Sequence, residues 1–139
     1  MTKVLYYTNI VLDLLLDRHP HATASAAALE IAEVGKVRGF VAAHAVTTIH
    51  YFLRKETGNT KAKQMLATLL RVLSVAVEND AVMQEALLSP SPDFEDAVTA
   101  AAARFAGCDF IVTRDPKGFR GSPVKCFSPE GLLQYLITI

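Results

Sequence analysis

The feature that most constrains this chain is a set of short segments that are apolar at consecutive rather than alternate positions. In Asp109–Thr113, for example, Phe110, Ile111 and Val112 follow one another directly. A strand with one solvated face alternates apolar and polar residues, so an uninterrupted run indicates a strand covered on both faces, as in a parallel sheet. Four segments fit this description, and a shorter fifth follows them: Lys3–Tyr7, Val37–Ala42, Val72–Val77, Asp109–Thr113 and Val124–Phe127.

The segments between these strands carry helical patterns. In Ala45–Glu56, for example, Val46, Ile49 and Leu53 fall on one helical face. The predicted helices are Ile10–Leu16, Ala22–Val34, Ala45–Glu56, Thr60–Leu70, Asp80–Leu88, Phe94–Ala106 and a last one that starts at Ser128-Pro129-Glu130. We expect Asn9 to cap the first helix and Pro20 to end it. One or two helices between successive strands predict a three-layer α/β/α domain with a central, mostly parallel sheet of four or five strands, spanning residues 1–139.

Composition narrows the function. Apolar residues make up 51% of the chain and charged residues 20%, which excludes a disordered chain. Fourteen basic residues balance fourteen acidic ones, so nucleic-acid binding would require a local basic patch. Cys108 and Cys126 lie in separate apolar segments, and we expect reduced thiols. No signal peptide is recognisable and no apolar run approaches ~18 residues, so we expect a cytoplasmic protein without a membrane partner.

Candidate functional residues lie where the predicted strands end, because ligands bind at the carboxyl ends of parallel strands. This rule selects Tyr7–Asn9, Ala43–Thr48 and Thr113–Asp115. The start of the alanine-rich helix joins them if it faces the same edge. No glycine-rich phosphate loop and no nucleophile motif accompanies these segments. The four histidines form no ligand set, and we expect structural or surface roles for them.

The acids at these places admit two interpretations each. Asp93, Glu95 and Asp96 begin the alanine-rich helix, where carboxylates cap and stabilise a helix terminus, with Asp93 as the best cap. Asp96, however, aligns with the packed side of that helix, and a carboxylate at such an edge can hold a hard cation. Asp115 can either form a local turn with Pro116 or project into the crevice beside Asp96.

The order of these pieces resembles the PIN-domain family, and more closely its bacterial VapC-type branch. Four segments carry the resemblance across nearly the whole chain: Lys3-Val4-Leu5-x-x-Thr8-Asn9-Ile10-Val11-Leu12-Asp13, Val46-Thr47-Thr48-Ile49-x-Tyr51-x-Leu53-Arg54-Lys55, Asp93-Phe94-Glu95-Asp96-Ala97, and Ile111-Val112-Thr113-Arg114-Asp115-Pro116-Lys117-x-Phe119.

The resemblance implies a Mg²⁺- or Mn²⁺-dependent endoribonuclease that forms a homodimer and is silenced by an antitoxin protein. Three or four acids of the family surround the metal, which activates a water molecule. Carried onto this chain, Asp96 and Asp115 are the catalytic and metal-binding acids and Asp93 is a further metal ligand. Asn9, Thr113 and Glu95 are supporting residues.

Two positions depart from the family pattern. Tyr7 stands where the first acid is expected, and Thr48 stands where the second is expected. A protonated phenol is a poor acceptor, and its ring takes up space that a metal or its water would fill. The site therefore keeps about half of its negative charge, and we expect weak Mg²⁺ binding. Asp13, one turn beyond Asn9, is the only substitute that the sequence suggests.

Two functional hypotheses follow from the resemblance. The first is a ribonuclease that acts on single-stranded RNA with a rearranged, weakened site. The second is an inactive PIN-fold module that binds RNA or a protein partner. Either would use a basic rim, for which the candidates are Arg54, Lys55, Arg114, Lys117 and Arg120. The alternative for these residues is ordinary solvated surface charge. A nucleotide- or small-molecule-binding domain outside this family is disfavoured by the missing glycine motifs.

Overall fold

A computed structural model describes residues 1–138, so the predicted domain end at residue 139 lies outside the described residues. Its strands are β1 Lys3–Tyr6, β2 Arg38–Ala42, β3 Leu73–Ala76, β4 Phe110–Val112 and β5 Lys125–Phe127. Its α-helices are α1 Thr8–Leu15, α2 Ala22–Glu33, α3 Ala43–Thr57, α4 Asn59–Val72, α5 Asp80–Leu88, α6 Phe94–Phe105 and α7 Pro129–Thr138. A 3-10 helix covers Pro116–Phe119.

The five strands form one sheet in the order β3-β2-β1-β4-β5, and all neighbouring pairs are parallel. This confirms the predicted α/β class and the parallel sheet. β1 lies in the centre, where Leu5 is in register with Phe40 of β2 and Ile111 of β4. Leu5 and Ile111 are fully buried. Parallel strands place all their carboxyl ends at one edge, so this order brings the ends of β1, β2 and β4 side by side.

Helices cover both faces of the sheet, as the apolar strands predict. On one face the hydroxyl of Tyr6 donates a hydrogen bond to the carbonyl of Ala28 in α2, at 2.7 Å. Successive residues of a strand point to opposite faces, so Phe40 points away from Gly39. Phe40 lines a cleft together with Val82 of α5 and Phe105 of α6, which places these two helices on the second face.

The start of α1 differs from the prediction. The expected cap, Asn9, lies inside the first turn, because the helix begins at Thr8 and Tyr7 occupies the cap position. The amide of Tyr7 continues the sheet by donating to the carbonyl of Val112 at 2.9 Å, and the Tyr7 carbonyl accepts from the amide of Ile10 at 3.0 Å. The backbone thus passes from strand to helix at one residue and leaves no loop in which Asn9 could cap.

The end of α1 also differs from the prediction. The helix stops at Leu15, five residues before Pro20, and Asp17 adopts a left-handed conformation with φ of +50°. Aspartate tolerates this conformation better than most residues. The chain has therefore already turned when it reaches Pro20, and the prediction that Pro20 ends the helix is wrong.

The alanine-rich helix α6 sits close to the sheet. Ala97 and Ala100–Ala103 are all buried, and their small side chains permit a close approach of the helix backbone. Gly107, with φ of +75°, follows the helix and allows the chain to turn back toward β4. The burial of Ala100 and Ala103 confirms that Asp96, in line with them, begins on the packed side of the helix.

Both cysteines are free. Burial raises the pKa of the Cys108 thiol to about 12 and that of the Cys126 thiol to about 11. Both side chains are therefore thiols rather than thiolates at neutral pH. None of the helices within residues 1–138 is long and apolar enough to cross a membrane.

We predict that Gly39→Ala destabilises the protein by about 1–3 kcal/mol through overpacking. A Cβ atom at this position would lie 2.5 Å from the Leu73 side chain and 3.0 Å from the Cβ of Ala32. Urea denaturation measures the change. Gly131→Ala is the control, since its nearest neighbour is the hydroxyl of Ser128 at 3.0 Å, and its effect should be much smaller. Equal stabilities of the two variants would contradict the prediction.

Candidate functional site

Three segments meet at the carboxyl edge of the sheet. They are the end of β1 with Tyr7, the start of α6 with Asp96, and the turn after β4 with Asp115. The side chain of Asp93 caps α6, because its Oδ1 accepts a hydrogen bond from the amide of Asp96 at 3.0 Å. The cap predicted for Asp93 is confirmed, and it fixes the backbone that carries Asp96.

Tyr7 lies directly against Asp96. Its hydroxyl donates a hydrogen bond to Oδ1 of Asp96 at 2.7 Å. The Tyr7 ring makes a T-shaped contact with Phe119 of the 3-10 helix, with ring centroids 5.4 Å apart and an angle of 81° between the ring planes. Tyr7 thus holds a carboxylate oxygen that would otherwise be available to a cation, and its ring fills the space beside it.

Asp115 makes a local turn and also faces Asp96. Its amide donates to Oγ1 of the buried Thr113 at 3.2 Å. A Cβ atom built on Gly118 would lie 3.3 Å from Oδ2 of Asp115 and 3.6 Å from Oδ2 of Asp96, which places these two oxygens within about 7 Å of each other. The two interpretations of Asp115 are therefore compatible, and the two aspartates lie in one crevice.

The charges of this crevice disfavour further negative charge. Burial raises the pKa of Asp96, and the neighbouring acids Asp93, Glu95 and Asp115 add to the rise, while the hydrogen bond from Tyr7 opposes it. The pKa of Tyr7 is also raised, first by burial and then by its hydrogen bond to Asp96. At neutral pH the phenol stays protonated and acts toward Asp96 as a donor.

The start of α3 presents His44 to this edge, one turn before Thr48. Nδ1 of His44 lies 2.5 Å from Oε2 of Glu78, and the His44 amide donates to the same oxygen at 3.1 Å. Nε2 of His44 is 3.7 Å from Oε1 of Glu95. The Glu78 side chain is only 6% exposed, so this contact is largely shielded from water.

The sequence reasoning missed the pair of His44 and Glu78. The histidines carry no ligand pattern in the sequence, and the candidate segments follow β1, β2 and β4 but not β3. Glu78 follows β3 by two residues, at the same edge of the sheet. Extending the rule to every predicted strand would have found it.

The donor set does not fit a divalent metal as it stands. Across the part of the chain that the structure describes, no three His, Cys, Asp or Glu side chains form a group that could hold a metal ion. Oδ1 of Asp93 caps α6 and Tyr7 donates to Oδ1 of Asp96, which leaves Asp115 and the second oxygens of Asp93 and Asp96. Mg²⁺ requires near-octahedral oxygen ligands and gives up water reluctantly.

Asp13 does not replace the missing acids. It is fully buried, and its Oδ2 lies 2.8 Å from Nε of Arg114 in an ion pair. The same oxygen accepts a hydrogen bond from the Ser25 hydroxyl at 3.2 Å. Arg114, a candidate for the basic rim, is therefore bound to a core carboxylate.

The remaining basic candidates do not form one cluster. Lys117 belongs to the 3-10 helix beside Asp115, and Arg120 follows that helix. Arg54 and Lys55 belong to the last turn of α3, ten and eleven residues after His44, which is about 15 Å along the helix axis. The predicted rim therefore divides into a part near the acids and a part at the far end of α3.

A cleft of about 250 Å³ extends from Asp96 along α6. Ala97, Ala100 and Ala101 form its floor, and residues 118–123 and the Ser89-Pro90-Ser91 segment form its walls. Arg104 lines it as well and is paired with Glu85. The acids therefore lie beside an open, largely apolar groove rather than in a closed cavity.

Comparison with known proteins identifies the fold. A family model described as "PIN domain" matches residues 3–117. VapBC2 from Rickettsia felis, solved with a promoter DNA fragment, is similar over 91% of this chain and 98% of its own, with a TM-score of 0.71 and 14% identity. A toxin-antitoxin complex from Klebsiella pneumoniae is similar over 91% of this chain and 97% of its own, with a TM-score of 0.71 and 18% identity.

A third solved structure, PAE2754 from Pyrobaculum aerophilum, covers 99% of this chain and 97% of its own, with a TM-score of 0.64 and 19% identity. At these identities the structural likeness concerns the fold. No curated protein matches the chain significantly.

We predict that Asp96→Asn makes the protein more stable at neutral pH. Because the pKa of Asp96 is raised, the folded state holds this proton to higher pH than the unfolded chain does. Stability is therefore lost as pH rises through the interval between the ordinary carboxyl pKa and the raised one. The side-chain oxygen of Asn can still accept the hydrogen bond from Tyr7, and Asn carries no buried negative charge. Melting temperatures across the acidic-to-neutral range should show an advantage of the variant that grows with pH, whereas an advantage that shrinks with pH would refute it.

We also predict that Arg114→Met destabilises the protein by about 3 kcal/mol, because it leaves the buried carboxylate of Asp13 without its cation. Chemical denaturation measures the loss. Adding Asp13→Leu to the same chain removes the unpaired charge and should recover much of the stability. If the free energy of unfolding of Arg114→Met alone lies within about 0.5 kcal/mol of that of the unaltered protein, the ion pair contributes little to stability.

Proposed function

The chain belongs to the PIN-domain family, and on that basis we propose that it is a toxin-antitoxin type PIN protein whose metal-dependent cleavage of single-stranded RNA is weakened or lost. The observation that carries this proposal is the hydrogen bond between Tyr7 and Asp96. It places a donor and an aromatic ring at the position where the family pattern has a carboxylate. The acidic crevice thereby has fewer free oxygen ligands.

The residues that we assign to any residual activity are those nearest this crevice. Asp96 and Asp115 are the proposed catalytic and metal-binding acids for Mg²⁺ or Mn²⁺, and Asp93 is the third oxygen donor. Asn9, Thr113 and Glu95 are supporting residues. Thr113 supports Asp115 because its hydroxyl accepts a hydrogen bond from the Asp115 amide. The side-chain Oδ1 of Asn9 is buried without a hydrogen-bond partner within residues 1–138, so it is free to accept a hydrogen bond.

A second candidate is a PIN-fold module that does not cleave and instead binds RNA or a protein. The observation in its favour is that one oxygen of Asp93 and one of Asp96 already accept hydrogen bonds from protein groups, the Asp96 amide and the Tyr7 hydroxyl. An antitoxin and a second copy of the chain are the proposed protein partners, by analogy with toxin-antitoxin complexes of the same fold. Under either candidate function, we expect this protein to act in the cytoplasm.

We predict that Tyr7→Asp raises Mg²⁺- or Mn²⁺-dependent cleavage of single-stranded RNA by about tenfold or more. The change restores a ligand carboxylate and removes the ring, and weaker perturbations around metal sites already alter affinity by about 10- to 100-fold. Gel analysis of a labelled RNA, with and without metal, measures the rate.

Three further variants separate the causes. Tyr7→Phe removes the hydroxyl but keeps the ring, and should not gain activity. Tyr7→Asn removes the ring without adding charge, and should gain less than Tyr7→Asp. Asp96→Ala should abolish whatever Tyr7→Asp gains. Vigorous cleavage by the unaltered protein that Asp96→Ala abolishes would defeat the weakened-site proposal, and no gain from Tyr7→Asp would favour the non-cleaving module.

A further inference from the structure

Two adjacent aromatic side chains of α3 are exposed to solvent. Tyr51 is 47% exposed and Phe52 is 36% exposed. Their ring centroids lie 5.3 Å apart with an angle of 82° between the ring planes. Phe94 and Phe105 are exposed as well. Tyr51 and Phe52 differ in that they are neighbours on one helix and in contact with each other.

Three cations surround this pair. The Arg54 guanidinium lies 5.8 Å from the centre of the Tyr51 ring, and Nζ of Lys55 lies 5.4 Å from it. The Arg18 guanidinium, from the segment after α1, lies 5.8 Å from the centre of the Phe52 ring. We call these five residues the α3 aromatic surface.

The positive charge of this surface is not neutralised by ion pairs. None of Arg18, Arg54 and Lys55 forms a salt bridge within residues 1–138. The acid next to Arg18 is Asp17, which pairs with His19 at 3.1 Å. Glu56, which follows Lys55, is the other acid adjacent in sequence and is exposed. The surface therefore carries more positive than negative charge.

The α3 aromatic surface shares one face of α3 with His44, whose Nε2 lies 3.7 Å from Oε1 of Glu95. His44, Thr48, Tyr51 and Lys55 recur at intervals of four, three and four residues, so they share one face of the helix. His44 faces Glu95 at one end of this row, and Tyr51 lies seven residues further, which is about 10 Å along the helix. A polymer lying along this face would reach both places.

We propose that the α3 aromatic surface binds single-stranded RNA, with bases stacked on Tyr51 and Phe52 and phosphates held by Arg18, Arg54 and Lys55. This inference rests on the proposed function, since it identifies how the RNA is held near the crevice. Aromatic side chains interleaved with basic ones are the common means of binding single strands without sequence preference, because every base has a stacking face. Arg54 and Lys55, assigned to RNA from the sequence, gain a specific place in this surface.

A protein partner is the less favoured occupant. The cores of protein interfaces are enriched in aromatic residues but depleted of charge, and lysine is among the residues that they avoid. Here each exposed ring has at least one cation against it, and the cations lack acidic partners. This combination matches a polyanion with flat apolar groups better than it matches an apolar helix.

The test is the affinity for a fluorescein-labelled single-stranded RNA of about twelve nucleotides, a length within the usual site size of single-strand binders. Fluorescence anisotropy in the presence of EDTA measures binding without cleavage. We expect Tyr51→Leu, which keeps an apolar side chain but loses the ring, to weaken binding by about tenfold. Replacing Arg54 and Lys55 by Gln should also weaken it and should lower the salt dependence of log affinity by about 1.4.

Phe105→Leu is the matched control. Phe105 is 47% exposed and has the Arg104 guanidinium 4.6 Å from its ring centre, but it ends α6 rather than lying on α3. This variant should bind RNA like the unaltered protein. Circular dichroism of all variants verifies that they are folded. Equal binding by Tyr51→Leu and the unaltered protein, an equal loss in Phe105→Leu, or no RNA binding at all would overturn the proposal.

The RNA-binding proposal and the proposed cleavage activity can fail independently, and the variants distinguish the two failures. If Tyr51→Leu binds normally while Tyr7→Asp gains cleavage, the function stands and this surface is not its RNA site. If Tyr51→Leu loses binding while Tyr7→Asp gains nothing, RNA binding stands and catalysis does not. If the unaltered protein binds no RNA and its self-association in sedimentation is lost in Tyr51→Leu, the surface is a contact between protein chains.

Discussion

The hydrogen-bonded position of β1 in the centre of the sheet determines both the fold and the site. β1 pairs with β2 on one edge and with β4 on the other, and its residues Val4, Leu5 and Tyr6 are fully buried. Because the strands are parallel, the residue after β1 must emerge between the ends of its two neighbours. Tyr7 is that residue, and its contact with Asp96 is a consequence of where β1 lies.

The sequence is sufficient to predict the bounds of helices whose first and last residues are marked by neighbouring residues in the chain. The bounds of α5 agree with the prediction, because Asn79 caps it and the Ser-Pro segment ends it. The strand-end rule selects Asp115 as a candidate, but the approach of Asp96 to it depends on the direction of α6, which the sequence leaves open. The cap of α1 could not be predicted in this way, because it depends on Tyr7 continuing its pairing with β4, a strand about a hundred residues away. The pairing of His44 with Glu78 likewise joins distant segments, and the place of Arg114 depends on a buried Asp13 that the sequence marks only as polar.

The crevice shows how a cluster of acids can be made compatible with stability. Several carboxylates close together repel one another, and burial of Asp96 adds to the cost of its charge. Two hydrogen bonds offset part of this cost. The carboxylate of Asp93 accepts one from the amide of Asp96, and the carboxylate of Asp96 accepts one from the Tyr7 hydroxyl. An arrangement that bound a cation tightly would leave the same groups unsatisfied without the ion. The tyrosine therefore stabilises the folded chain at the position where a catalytic residue would be costly, in line with the general opposition between stability and activity at such sites.

The backbone of Tyr7 is held independently of its side chain. Its amide bonds to Val112 and its carbonyl to Ile10, and both contacts would be available to any residue except proline, which lacks the amide. Codons for tyrosine and aspartate differ only in their first base. A single point mutation is thus enough to exchange the phenol for a carboxylate while both of these backbone hydrogen bonds remain possible.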